Sequence, residues 1–206
     1  IDREQRPGRK VTTPPVTVLR SEELLGRDEA RNALGLERDG RYALLSLGPG
    51  NLKDVGGIGH GLIREFRSQG YEVAWARAPI TVRDVPLPAE VIPVSVFPLV
   101  RYMRAFDAFA GAAGYNTCCE VLQSGVPTVL VPNTLVADDQ VRSADIVSRH
   151  APVVASACGT EAEQREAVAR LDGLNSAPAN DMSLDLEGAE RAADEILALV
   201  DAEGRR

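Results

Sequence analysis

Blocks of apolar residues alternate along this chain with stretches whose apolar positions recur at helical spacing. Tyr42–Leu47, Tyr71–Ala76, Val91–Phe97, Asp107–Ala110, Thr128–Val131 and Pro152–Ala155 are short and largely apolar, as expected of strands buried on both faces. Between them Val55–Ser68, Tyr115–Ser124, Asp139–Arg149 and Glu161–Leu171 read as helices, and Glu187–Glu203 as a closing one. In that last helix Ala189, Ala193, Ile196, Leu197 and Val200 align as a stripe that the pattern predicts to be buried. Upstream, Ser21–Leu36 predicts one short amphipathic helix ending at Gly35, and Asp39-Gly40 a turn. Residues 1–20 are charged, proline-rich and aperiodic, which predicts a linker or hinge ahead of a single domain over 21–206.

Strands separated by helices imply a parallel sheet with right-handed crossovers. The predicted class is therefore α/β, a Rossmann-like parallel sheet with helices on both faces. Ligands bind such sheets beyond the carboxyl ends of the strands. That rule singles out the loops at 48–51, 97–98, 111–116 and 132–138 along one rim.

Composition narrows the ligand. The 206 residues carry 23 basic and 30 acidic side chains, a net charge of −7. Residues 160–206 hold 12 acids and 5 bases, so the excess belongs to the tail and residues 1–159 are neutral. That distribution argues against nucleic acid as a partner, but not against a small anion held by backbone N–H groups. Cys118, Cys119 and Cys158 form neither a disulfide framework nor a zinc pattern, and reduced thiols fit a cytoplasmic protein. No apolar run approaches the length of a membrane span and no signal peptide is visible. Ile1 in place of Met predicts a piece of something longer.

The candidate chemistry is concentrated at the predicted loop-to-helix junctions. Gly48-Pro49-Gly50-Asn51 lets a backbone approach a phosphate, although it is neither a P-loop nor a GxGxxG turn, and a plain strand-ending turn accounts for it too. Asn116-Thr117-x-x-Glu120 reads two ways. Asn116 as N-cap, with Thr117 and Glu120 at capping-box spacing, is the purely structural reading. Alternatively the N–H groups of residues 115–117 face a phosphate, and Glu120 accepts hydrogen bonds from two vicinal ribose hydroxyls. Asp138-Asp139-Gln140 opens the next helix, where acids suit the dipole but also suit sugar hydroxyls. His60 and His150 are the only histidines: His60 lacks an identifiable acid partner for catalysis, and His150, at a helix end, reads as a C-terminal cap or a solvated residue.

Together, Ala112-Ala-Gly-Tyr-Asn-Thr-Cys-Cys-Glu120, Gly125-Val-Pro127, Val131-Pro132, Asp139-Gln140 and Arg142-x-Ala144 resemble the donor-binding motif of GT-B glycosyltransferases. The chain is similar to their C-terminal domain, one half of a GT-B fold, particularly in the group of the bacterial peptidoglycan N-acetylglucosaminyltransferase. The resemblance is sharpest over 106–149 and extends from about 41 to 203. It implies that Gly114, Tyr115, Asn116 and Thr117 bind the diphosphate of a nucleotide sugar, that Glu120 holds the ribose, and that Asp139 and Gln140 contact the transferred sugar. Phe97 falls where the family's backbone meets the base, and Gly48, Gly50 and Asn51 correspond to its glycine-rich loop. Ala112 stands where many members carry a phosphate-binding His. The loop after Pro132 is long, which leaves open whether Asp138 or Asp139 faces the sugar.

The resemblance further implies an inverting transfer without metal or other cofactor, from a UDP-sugar such as UDP-N-acetylglucosamine or from a thymidine-linked deoxysugar. The catalytic base and acceptor would belong to an absent N-terminal domain or partner subunit, through which alone a membrane would be contacted. The chain by itself would then transfer sugar poorly or not at all. Two other readings share the architecture: a nucleotide-sugar epimerase or hydrolase, and a non-catalytic nucleotide-binding subunit that docks on a membrane partner.

Overall fold

Alternate residues of the inner strands go to opposite faces of one sheet, and that parity divides the core in two. Ala43 and Leu45 join Val129 and Val131 on one face, while Leu44 and Leu130 join the other. In the computed structural model the described residues are 11–48, 55–76, 88–133, 139–174 and 185–204. Six strands, β1 (Tyr42–Ser46), β2 (Glu72–Ala76), β3 (Ile92–Val94), β4 (Ala108–Ala112), β5 (Thr128–Val131) and β6 (Val153–Ala155), pair in the order β3-β2-β1-β4-β5-β6, every pair parallel. The expected Rossmann-like α/β sheet is present.

The helices cover both faces. α2 (Val55–Ser68) and α5 (Glu161–Leu174) pack Leu62, Phe66, Val168 and Leu171 on the first face. α1 (Arg27–Leu34), α3 (Tyr115–Ser124) and α4 (Gln140–Ser148) pack Ala30, Val121, Ala144 and Val147 on the second. At the amino edge of the sheet, Arg31 is 1% exposed and ties α1 to β4: its Nε donates to the Ala105 carbonyl at 2.7 Å, and its Nη2 meets Asp107 Oδ2 at 2.9 Å. The same carboxylate oxygen accepts from the Tyr42 N–H at 2.8 Å, so one buried guanidinium sets the start of two strands.

Several expectations need correction. The helix expected over 21–36 is a 3-10 turn at Ser21–Glu23 followed by α1, because the chain is extended at Gly26 and α1 starts only after it. β3 is shorter than 91–97: Pro93 has no N–H to give, and the strand is an edge strand. A 3-10 helix at Leu99–Ala105, unforeseen in the apolar pattern, packs Val100 and Met103 into the second face.

The chain divides into two compact units, 18–184 and a smaller one combining residues up to 17 with those from 185 onward. In the smaller unit Val16 bridges Glu187 in antiparallel sense, and α6 (Gly188–Gly204) follows. A β-carbon at Gly188 would lie 2.1 Å from the Pro14 carbonyl oxygen, so only glycine fits that crossing. The stripe expected to be buried on α6 is exposed instead. Ile196, Leu197 and Val200 are each 61% exposed, and Ala189 and Ala193 are exposed as well. Helical periodicity marks which residues share a face, and it carries no information on whether a second surface covers that face. No helix among the described residues is long and apolar enough to cross a membrane.

Candidate functional site

β1 and β4 are neighbours in the sheet although β2 and β3 intervene in sequence, with Ser46 opposite Gly111. The helices that follow them, α2 and α3, cover opposite faces. Such a reversal of strand order leaves a crevice at the carboxyl edge. The residues that leave β1 and β4, Leu47-Gly48 and Ala113-Gly114, flank it. Gly48 leaves β1 at φ 78, in the left-handed region that favours glycine. Gly50 and Asn51 lie outside the described residues.

Between β4 and α3 only Ala113 and Gly114 intervene. The Ala113 N–H donates to the Val131 carbonyl at 3.1 Å, and the Cys118 N–H to the Gly114 carbonyl at 2.9 Å, so the ladder ends and the helix begins almost at once. Gly114 is the N-cap (φ −69, ψ 157) and, as glycine, supplies no side-chain cap. Asn116 is therefore the second helical residue and not the cap, and Thr117 with Glu120 forms no capping box. The short connection is what moves the helix start ahead of the residue whose side chain best suits a cap. Thr117 packs instead against the strand: a β-carbon at Gly111 would lie 3.1 Å from Thr117 Cγ2 and 2.6 Å from the Phe109 ring. Tyr115 and Asn116 are exposed at the rim.

Glu120 lies one turn further in. Its carboxyl is half-buried and, among the described residues, has no hydrogen-bond or ion-pair partner. Burial alone pushes its pKa up to about 7. A shielded carboxyl without donors is costly to keep ionised, and it gains when a ligand brings hydroxyls. All three cysteines are free and buried, and burial raises the Cys119 and Cys158 thiols, which disfavours their thiolate forms.

α4 opens differently. Its N-cap, Asp139, accepts from the Arg142 N–H at 3.1 Å, satisfying its own helix. Gln140 reaches back to the strand ends, where its Oε1 accepts from the Asn133 N–H at 2.9 Å. A β-carbon placed on Gly114 would lie 3.9 Å from Gln140 Nε2, so Gly114 and Gln140 meet across the two junctions. Asn133, 6% exposed just past β5, was not singled out by motif; a buried Asn at a strand end was its only signal. Asp138 lies outside the described residues. Phe97 is 78% exposed beyond β3, three strand spacings or about 14 Å from β4, and is not drawn in beside Gly114 by the sheet order.

A cavity of about 580 Å³ lies at the opposite, amino edge, lined by Arg27, Asp39, Arg41, Arg104 and Asp107 among others. Two of its three cations are committed, Arg27 to Asp107 at 2.6 Å and Arg41 to Tyr71 and Asp172. The α1 start beside it is closed by Glu29, whose carboxylate accepts from the Gly26 N–H at 3.2 Å, and its Asp107 carboxylate is already paired with Arg27 and Arg31.

Comparison with known proteins supports the fold. No family model matches the sequence, and no curated protein matches it. Solved glycosyltransferases do match in structure. The spinosyn forosaminyltransferase SpnP aligns with a TM-score of 0.56 at 15% identity, over 81% of this chain and 46% of its own length. The glycotransferase of kitacinnamycin aligns at 0.52 and 25% identity, over 77% of this chain and 42% of its own. The spinosyn rhamnosyltransferase SpnG, solved with thymidine diphosphate, aligns at 0.54 and 17% identity, over 95% of this chain and 50% of its own. The chain thus spans half or less of each of these glycosyltransferases, and its six-stranded parallel sheet is built as theirs is.

Proposed function

We propose that this chain is the donor-binding half of a glycosyltransferase, taking up a nucleoside-diphosphate sugar at the carboxyl edge between β1 and β4. The observation that carries this reading is the pairing on α3 of a helix start without a capping side chain and a shielded, unpartnered carboxyl one turn along. A diphosphate supplies the negative charge that the first suits, and a ribose supplies the hydroxyl donors that the second lacks. The likeness to glycosyltransferase structures and the motif over 112–144 support the same assignment.

In this reading the N–H groups at the start of α3, with Gly114, Tyr115, Asn116 and Thr117, hold the diphosphate. They stabilise charge that grows on it as the glycosidic bond breaks, an electrostatic contribution fixed before the reaction begins. Glu120 holds the ribose. Asp139 keeps one carboxylate oxygen for its helix and has a second for a sugar hydroxyl. The resemblance assigns Gly48, Gly50 and Asn51 to the phosphates and Phe97 to the base. The general base and the acceptor pocket belong to the remaining half of the enzyme, which is why transfer by the chain alone is expected to be absent.

Calorimetry with uridine and thymidine diphosphates and their sugars tests the reading. Uridine follows from the motif, and thymidine from the SpnG complex. Binding of at least one series is expected, with no sustained turnover when an alcohol acceptor is added. Sugar release without acceptor would favour the hydrolase or epimerase reading instead.

A further inference from the structure

We propose that the cavity at the amino edge of the sheet is a second binding site, for a metabolite-sized organic anion whose phosphate or carboxylate group sits on Arg104. The site is independent of the donor-site reading and lies at the other end of the strands.

The arginines at this edge are nearly all committed. Arg31 is held by Asp107 and the Ala105 carbonyl, Arg38 meets Asp28 at 2.7 Å, and Arg27 meets Asp107 at 2.6 Å. Arg41 gives one Nη to the Gln69 carbonyl and the other to Tyr71 and Asp172. Arg104 breaks the pattern. It lies in the last turn of the 3-10 helix Leu99–Ala105, lines the cavity and is half-buried. Among the described residues it has neither an ion-pair nor a hydrogen-bond partner. Arg101, one turn earlier on the same helix, is exposed and stays solvated. A partly desolvated guanidinium with five donors and no acceptor is costly, and an oxyanion that takes two of those donors side by side offsets the cost.

The surroundings set the class of ligand. The walls carry Arg27, Arg41 and Arg104 against Asp39 and Asp107, an excess of one positive charge. Asp107 is already held by two arginines, and Asp39 is exposed to solvent. A single anionic group therefore balances the cavity. Phe106, Val126 and Pro127 also line it and offer an apolar body a surface to rest on. At about 580 Å³ the cavity is far larger than a bare phosphate and falls within the range of small-molecule sites, roughly 300–1,000 Å³.

The test follows backbone amide shifts of the full chain in separate titrations with phenyl phosphate, benzoate and uncharged benzyl alcohol. Saturable one-to-one shifts at Gly40, Gly125 and Val126 are expected with at least one of the anions and not with the alcohol; the tighter anion identifies the head group. Arg104→Gln should weaken that binding by about tenfold or more, and Arg101→Gln should leave it unchanged. Thermal melting reports whether both variants fold, and the contrast between anions and alcohol in wild type stands without them. Absence of saturable shifts at the cavity, equal shifts with the alcohol, or undiminished affinity in Arg104→Gln overturns the assignment. Shifts confined to Tyr115, Asn116 and Thr117 overturn it too, since the phosphate would then sit at the α3 start and leave the donor-site reading intact.

Discussion

Two loop-to-helix junctions stand side by side at the carboxyl edge, and they treat their helix starts in opposite ways. α4 is closed from within: Asp139 accepts from the Arg142 N–H. α5 is closed too, with Thr160 and Glu163 exchanging hydrogen bonds at 3.0 and 3.2 Å. α3 begins at a glycine with no capping side chain. Where the chain satisfies a helix start itself, the junction is architecture. Where the N-cap residue offers no side chain, beside a shielded carboxyl at a reversal of strand order, the junction is the one proposed to take the ligand.

The comparison breaks most directly by exchanging the two treatments. Gly114→Asp gives α3 the cap that α4 has and sets a carboxylate where phosphate is expected. Nucleoside diphosphate affinity should fall by about 100-fold or more, read by calorimetry, while stability rises by a few tenths of a kcal/mol. Unchanged affinity would mean that the open helix start is not used.

Glu120→Gln is the next largest. Losing hydrogen bonds to a charged acceptor should weaken nucleotide binding by roughly 10- to 100-fold. Its stability effect has the opposite sign. The folded pKa of about 7 lies above the ordinary 4.5, so between these values the native state still holds a proton that the unfolded chain has released. Native stability therefore falls as pH rises through that window. Glu120→Gln should melt above wild type at pH 8 and level with it at pH 4, whereas a capping role would make the variant less stable. Hydroxyls donating to Glu120 favour its ionised form, so binding near pH 7 should release protons, measurable by calorimetry in buffers of different ionisation enthalpy.

Asp139→Ala should do the reverse of Gly114→Asp. It costs about 1 kcal/mol of stability through the lost cap, seen in denaturant melts, and leaves binding of the sugar-free diphosphate unchanged. Smallest of all is Ile196→Lys on α6. At 61% exposure it should change stability by less than about 0.5 kcal/mol, where a buried stripe would have made it severe.

Legibility in the sequence followed the source of the signal. Inner elements read well: Tyr115–Ser124 and Thr128–Val131 have the expected bounds, because strands buried on both faces leave near-continuous apolar runs and Gly125 ends the helix in the left-handed conformation. The expected α/β class followed from the same alternation. What failed depends on partners distant in sequence. Asn116 has the ideal side chain for a cap, but the two-residue link from β4 starts the helix at Gly114. The α6 stripe has helical period, yet Ile196, Leu197 and Val200 are exposed. Arg31, a charged residue in an amphipathic segment, gave no hint that Asp107 and the Ala105 carbonyl would bury it. At the site, the motif named Gln140 but not its orientation, which comes from the Asn133 N–H.

The central claim is that the α3 start at Gly114 and the Glu120 carboxyl are kept for one nucleotide. Parallel calorimetric titrations of wild type, Gly114→Asp and Glu120→Gln, each with uridine and thymidine diphosphate, test it. Saturable one-to-one binding by wild type to at least one of them, lost in Gly114→Asp and weakened in Glu120→Gln while both variants remain folded, is the expected result. Absence of binding to either nucleotide, or binding indifferent to both substitutions, would contradict it.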